Sequence, residues 1–132
     1  MKPSGRRSGS REDFSEIYLS GGSDFGGDPP FETEVERYIQ VLQAIGRNFS
    51  GRFPSQLMAP AYPKKQLKRI YDQTGVTSYC PNIEVWDENI FRHLCPGKEK
   101  WISHKEWVRR TLDAVEIFGR GQVCTQVIGG VE

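Results

Sequence analysis

The sequence predicts an α/β protein: a partial (β/α) barrel of about four parallel strands joined by crossover helices. Three observations predict it. Short strand-like apolar runs alternate with amphipathic helical stretches in the order β-α-β-α-β-α-α-β, a pattern that means parallel pairing and right-handed crossovers. The 132 residues give room for one domain. Three crossovers over four strands would leave apolar surface and a sheet edge uncovered. The expected architecture is therefore an arc of a larger barrel, or a small complete domain whose open edge is covered by a partner chain or by dimerisation.

Each element has its own signal. Residues 1–13 carry Lys2, Arg6, Arg7 and Arg11 among Ser and Gly, with nothing to offset the entropy of ordering, so a disordered polar and basic tail is expected there. The α/β domain is expected over 14–132. Ile17-Tyr18-Leu19 is a strand-type run that stops at Ser20-Gly21-Gly22-Ser23. Pro29-Pro30 opens a helix, and Glu32, Glu34 and Glu36 suit the positive end of its dipole. Val35, Tyr38, Ile39, Leu42 and Ile45 recur at helical spacing, and Gly46 is a stop. Residues 56–59 form the next strand. Pro63 then starts a helix that faces Leu67, Ile70 and Tyr71 inward and ends at Gly75. A strand over 76–85 follows. Asp87 caps a short helix carrying Ile90, Phe91 and Leu94, which ends at Cys95-Pro96-Gly97-Lys98. Ser103-His104-Lys105-Glu106 reads as a capping box, and its helix is expected to bury Trp107 or Val108, then Leu112, Val115 and Phe118. Residues 122–128 form the last strand.

Composition narrows the function classes. Lys plus Arg is 18 and Asp plus Glu is 17, a net charge of +1, which argues against a nucleic-acid partner recruited by overall charge. No apolar run approaches the roughly 20 residues that cross a bilayer, and no secretory leader is evident, so no membrane association is expected. Three scattered cysteines, Cys80, Cys95 and Cys124, suit a reducing cytoplasm and lie too far apart for a metal knuckle. His93 and His104 are expected at the surface. Trp86, Trp101 and Trp107 are expected to pack.

In parallel α/β folds the ligand lies beyond the carboxyl ends of the strands. The residues there are Ser20-Gly21-Gly22-Ser23, Met58-Ala59-Pro60, Asn82 with Glu84, and Gly129-Gly130 with Glu132. This polar, Gly-rich set suits a small-molecule site. A Gly-Gly pair lets a ligand approach the backbone, and it equally makes a plain tight turn. Asn82 and Glu84, two apart on a strand, would share a face. A ribose diol would satisfy the carboxylate, and so would a nearby Lys or Arg.

The order of these pieces resembles the radical S-adenosylmethionine superfamily, in particular its biotin synthase and lipoyl synthase branch. Residues 18–23 (YLSGGS) are similar to the family's second-strand motif, 79–85 (YCPNIEV) to its fourth strand, and 121–132 (GQVCTQVIGGVE) to its fifth. The resemblance implies S-adenosylmethionine as cofactor. Ser20, Gly21 and Gly22 would hold its methionyl end, Asn82 and Glu84 its ribose, and Ile128 and Gly129 its adenine. Arg109 or Arg110 would lie near its carboxylate. The full enzyme would make a 5′-deoxyadenosyl radical and take hydrogen from an unknown small-molecule substrate.

The chain departs from the family at one decisive point. The motif CxxxCxxC, which ligates the four-iron four-sulfur cluster, is not in this sequence. The expectation is a fragment that forms cofactor-binding wall and is inactive alone. The rival expectation is a non-catalytic α/β interaction module or degenerate paralogue.

Overall fold

A computed structural model describes residues 15–131; the expected tail over 1–13 lies outside the described residues. The elements are β1 (Ile17–Ser20), α1 (Glu32–Gly46), β2 (Ser55–Met58), α2 (Lys64–Gln73), β3 (Ser78–Cys80), α3 (Glu88–Leu94), α4 (Pro96–Trp101) and α5 (His104–Phe118). The three strands are parallel and lie in the order β1-β2-β3. The protein is thus α/β, with one three-stranded parallel sheet and five helices among the described residues.

Alternation along the strands sorts the two faces of the sheet. Leu19, Leu57 and Tyr79 align in one row and belong to the apolar core with Val35, Ile39 and Leu42 of α1, Leu67 and Ile70 of α2, and Trp107, Ala114 and Phe118 of α5. Ser20, Met58 and Cys80 form the next row and point to the other face. Arg52 fastens the turn after α2. Its guanidinium donates to the carbonyls of Tyr71, Thr74 and Val76 and lies 3.5 Å over the Tyr71 ring, meeting acceptors that a helix end leaves open.

Several elements differ from expectation. The strand expected over 76–85 is regular only from Ser78 to Cys80. Pro81 has no N–H to continue a ladder. The Thr125 hydroxyl fills the gap, accepting from the Ile83 N–H at 3.0 Å and donating to the Pro81 carbonyl at 2.8 Å. Parallel pairing resumes as a single bridge, Glu84 to Val127. The run expected as a last strand, 122–128, accordingly joins β3 through two isolated bridges, Tyr79–Val123 and Glu84–Val127. Between them β3's side has one residue more, which is a bulge.

Cys95-Pro96-Gly97-Lys98, expected as a linker, opens α4 with proline in its first turn. Half of the expected capping box forms. Ser103 Oγ accepts from the Glu106 N–H at 3.2 Å, but the Glu106 carboxylate turns to Arg109 and Arg110. The buried stripe of α5 runs through His104, Trp107, Ala114 and Phe118, leaving Leu112 64% exposed. His104 is buried too, edge-on to Phe91 and Trp86; these rings from α3 and the loop before it pack against it, which corrects the surface expectation. Trp107 is buried, and Trp101, 42% exposed, stacks its ring on Phe25 at 4.6 Å; Trp86 is 58% exposed.

Candidate functional site

The sheet face opposite the core opens at the carboxyl ends of the strands into a cleft of about 210 Å³. Ser20, Gly21 and Ser23 line it from the loop after β1, and Met58, Ala59 and Pro60 from the end of β2. Cys80, Asn82 and Glu84 form its β3 wall, and Lys98 and Trp107 reach in from α4 and α5. Four of the residues that the resemblance assigns to the cofactor, Ser20, Gly21, Asn82 and Glu84, therefore meet here, with Ser23, Met58, Ala59 and Pro60 from the expected strand ends.

The bulge after Pro81 shapes this wall. Glu84 has φ 72°, the left-handed region, which costs a non-glycine residue roughly 1 kcal/mol or more. Two backbone hydrogen bonds hold it there, from its N–H to the Gln126 carbonyl at 3.0 Å and from the Ile128 N–H to its carbonyl at 2.8 Å. The Lys98 ammonium lies 3.3 Å from Glu84 Oε1 and 2.7 Å from the Asn82 carbonyl, over the Trp107 ring at 4.7 Å. Trp107 in turn donates its indole N–H to the Pro81 carbonyl at 3.0 Å. Asn82 accepts at Oδ1 from the Cys80 thiol and donates to Gln126. Desolvation, with the Cys124 thiol beside it, pushes the Cys80 thiol up to about 12. The cleft thus offers a carboxylate, an ammonium, an amide, hydroxyls and a flat apolar ring.

Other expected site residues lie elsewhere. Arg109 is on the outer face of α5, 58% exposed, held by Glu106 and Asp113. Arg110 pairs with Glu106 and donates to the Ala61 carbonyl at 3.0 Å, so it braces the loop after β2. Ion pairs within α5 thus keep both arginines out of the cleft. The cation in the cleft is Lys98. Gly22, Ile128 and Gly129 do not line the cleft, although the Ile128 N–H holds Glu84. A Cβ on Gly21 would lie 2.8 Å from the Tyr38 hydroxyl oxygen, so the tip of that side chain would have to shift, whereas Gly22 faces open space.

Lys98 and Trp107 carry no site signal in the sequence. Lys98 falls in a stretch that reads as a linker, and only Pro96 as a helix start hints otherwise. Replacing Lys98 with Met removes the donor to Asn82 and the contact over Trp107. The expected cost is about 1–2 kcal/mol, because the pair is partly solvated; a change in urea midpoint at unchanged slope measures it.

Behind the cleft, Glu34 is a buried carboxylate, 3% exposed. It accepts from the Asp24 N–H at 2.6 Å and from the Tyr62 hydroxyl. Burial raises its pKa above the ordinary carboxylate value, and burial together with Glu34 raises that of Tyr62. Tyr79 donates to the Pro60 carbonyl and accepts from the Tyr62 N–H. One polar network thus fixes the loop after β1 and the loop after β2, the two rims of the cleft.

Fold and cleft together define an α/β protein with a small polar recess at the ends of parallel strands. No family model matches the sequence, and no solved structure matches it. Two characterised proteins are similar to it. One is a component of the glutamine-hydrolyzing GMP synthase of Methanobrevibacter smithii, 38% identical over 72 residues, which cover 52% of this chain and 35% of that protein. The other is bacteriochlorophyllide c C-7(1)-hydroxylase of Chlorobaculum limnaeum, 26% identical over 106 residues, which cover 76% of this chain and 26% of the hydroxylase. The chain therefore spans about a third and about a quarter of the lengths of these relatives. No helix among the described residues is long and apolar enough to cross a membrane.

Proposed function

We propose that this chain is part of a radical S-adenosylmethionine barrel and forms wall that binds the cofactor. The observation that carries this reading is the convergence of Ser20, Gly21, Asn82 and Glu84 on one cleft, with Glu84 held in a strained backbone conformation. Strain kept at a cleft wall is a mark of function. In this reading the 122–128 segment is the fourth strand of the barrel arc, its two parallel bridges being what the Pro81 bulge leaves of a ladder. The outer face is covered by helices and the inner face carries the row Ser20, Met58 and Cys80. The hydroxylase likeness supports the reading, since hydroxylation at carbon begins with a C–H bond, the bond that such enzymes open.

The residues present fit part of S-adenosylmethionine. Glu84 can accept from the ribose hydroxyls, Lys98 can donate to the carboxylate, and Trp107, Ala59 and Pro60 give apolar cover. Sites that enclose a ligand of this size occupy about 300–1,000 Å³, so a cleft of about 210 Å³ holds only part of the molecule. Weak binding is expected of the chain alone. The cofactor, when bound in a complete enzyme, supplies the radical; this chain's residues bind and orient. The four-iron four-sulfur cluster does not fit: among the described residues no group of three or more His, Cys, Asp or Glu could hold a metal ion, and no step is assigned through it. The likeness to a glutamine-hydrolysing synthase carries less weight. It covers 52% of this chain, against 76% for the hydroxylase.

Calorimetric titration of the chain with S-adenosylmethionine tests the proposal. Saturable heat is expected, weakened about tenfold or more by Glu84→Ala. Glu84→Gly should fold about as stably as the parent, since relief of the left-handed strain offsets the lost pair with Lys98, yet bind as poorly as Glu84→Ala. No heat from a folded sample overturns the reading. A second reading, an interaction module, is favoured by Val127 and Ile128, 54% and 53% exposed on the segment at the sheet edge. A stable dimer by sedimentation together with no titration heat would support it.

A further inference from the structure

We infer that Cys80 and Cys124 are a redox pair that closes to a disulfide under oxidation, tying the 122–128 segment to β3 at the cleft wall. The backbone register carries the inference and does not depend on the ligand proposed above. Tyr79 pairs in parallel with Val123. The Tyr79 N–H donates to the Gln122 carbonyl at 2.9 Å, and the Cys124 N–H donates to the Tyr79 carbonyl at 3.1 Å. Cys80 and Cys124 are the next pair along, so their side chains leave the same face. Neighbouring strands lie about 4.8 Å apart, within the roughly 4.4–6.8 Å between Cα atoms that a disulfide spans.

The two thiols differ in access. Cys80 is buried and donates to Asn82 Oδ1 at 3.0 Å; Cys124 is exposed and accepts from Gln56 Nε2 at 3.6 Å. Cys95 lies at the junction of α3 and α4. With hydrogen peroxide as oxidant, Cys124 is attacked first. Its sulfur forms an S–O bond as the O–O bond breaks, and the departing hydroxide leaves as water with the Cys124 proton. Cys80 sulfur then attacks the Cys124 sulfenic acid, the S–O bond breaks, and a second water leaves with the Cys80 proton. Two thiols are oxidised and one peroxide is reduced to two waters. Asn82 loses its thiol donor, so the cleft wall changes with redox state.

The test is mass spectrometry of the full chain after one equivalent of hydrogen peroxide, followed by denaturation and alkylation. Three alkyl groups are expected on the reduced chain. One is expected on the oxidised chain, at Cys95, with a Cys80–Cys124 cross-linked peptide that dithiothreitol releases. Cys124→Ser should take two alkyl groups whether or not peroxide is added. The wild-type peptide map decides the matter even where that variant folds poorly. Three alkyl groups after oxidation, a cross-link through Cys95 or between chains, or oxygen retained on Cys124 with Cys80 still alkylated would each overturn the inference.

Discussion

Phe53→Ala is expected to destabilise the protein by about 3–5 kcal/mol, a large share of the roughly 5–15 kcal/mol that holds a domain together. Phe53 is fully buried. Its ring stacks on Phe49 at 4.9 Å, and its N–H donates to the Gly75 carbonyl at 3.0 Å. The ring also lies where a side chain on residue 75 would go: a Cβ on Gly75 would meet Phe53 Cδ1 at 2.8 Å and Cε1 at 2.9 Å. Gly75→Ala alone should therefore cost about 1–3 kcal/mol through overpacking. In the double variant the methyl group enters space that the ring has vacated, so the two losses should not sum. Urea denaturation of the four proteins measures the coupling, and strict additivity would show that the ring and residue 75 do not compete for space.

Glu34→Ala is expected to cost about 3 kcal/mol, because it strands the buried Tyr62 hydroxyl and the part-buried Asp24 N–H. Glu34→Gln keeps the shape and should cost less, since an amide can accept from Asp24 and donate to Tyr62. The pair also separates an effect of pH. Burial raises the folded pKa of Glu34 above its unfolded value, so the folded protein holds this proton more tightly. Its contribution to stability grows as pH falls through the folded value toward the ordinary carboxylate range, and is constant below that. Glu106 acts in the opposite sense: hydrogen bonds from Arg109 and Arg110 hold it down to about 2, so its contribution is present above the ordinary range and is lost as pH falls through about 2. Subtracting the Glu34→Gln stability from the parent's at each pH removes Glu106 from the comparison. A flat difference would mean that Glu34 titrates normally.

The local signals in the sequence were sound where neighbours in the chain are neighbours in space. Of the expected stripe, Val35, Tyr38, Ile39 and Leu42 are buried as their spacing required, and Ile45 is partly buried. Asp87 caps α3 by accepting from the Asn89 and Ile90 N–H groups, and Gly119, with φ 97°, ends α5. Local signals misled where a distant group decides. Leu112 keeps helical spacing with Val108 and Val115, yet Trp107, Ala114 and Phe118 turn the helix to another face. Glu34 suited the first turn of a helix dipole, and nothing nearby announces Tyr62 as its partner. Within the candidate site, Ser20, Gly21, Asn82 and Glu84 were legible because each closes a strand. Lys98 and Trp107 were not, since they arrive across long sequence separations.

The sequence by itself determined the alternation of strands and helices, hence a parallel sheet, and the placing of small and polar residues at strand ends. Period and turn chemistry are properties of adjacent residues, and they survive without a folded context. Tertiary structure alone decided which cation faces Glu84. Arg109 finds Glu106 and Asp113 on its own helix surface, while Lys98 is carried to the cleft by α4. It also decided that Glu84 takes a left-handed turn. Pro81 can interrupt a ladder only once a partner segment is there to be interrupted, and Thr125, far along the chain, supplies the hydroxyl that bridges the gap.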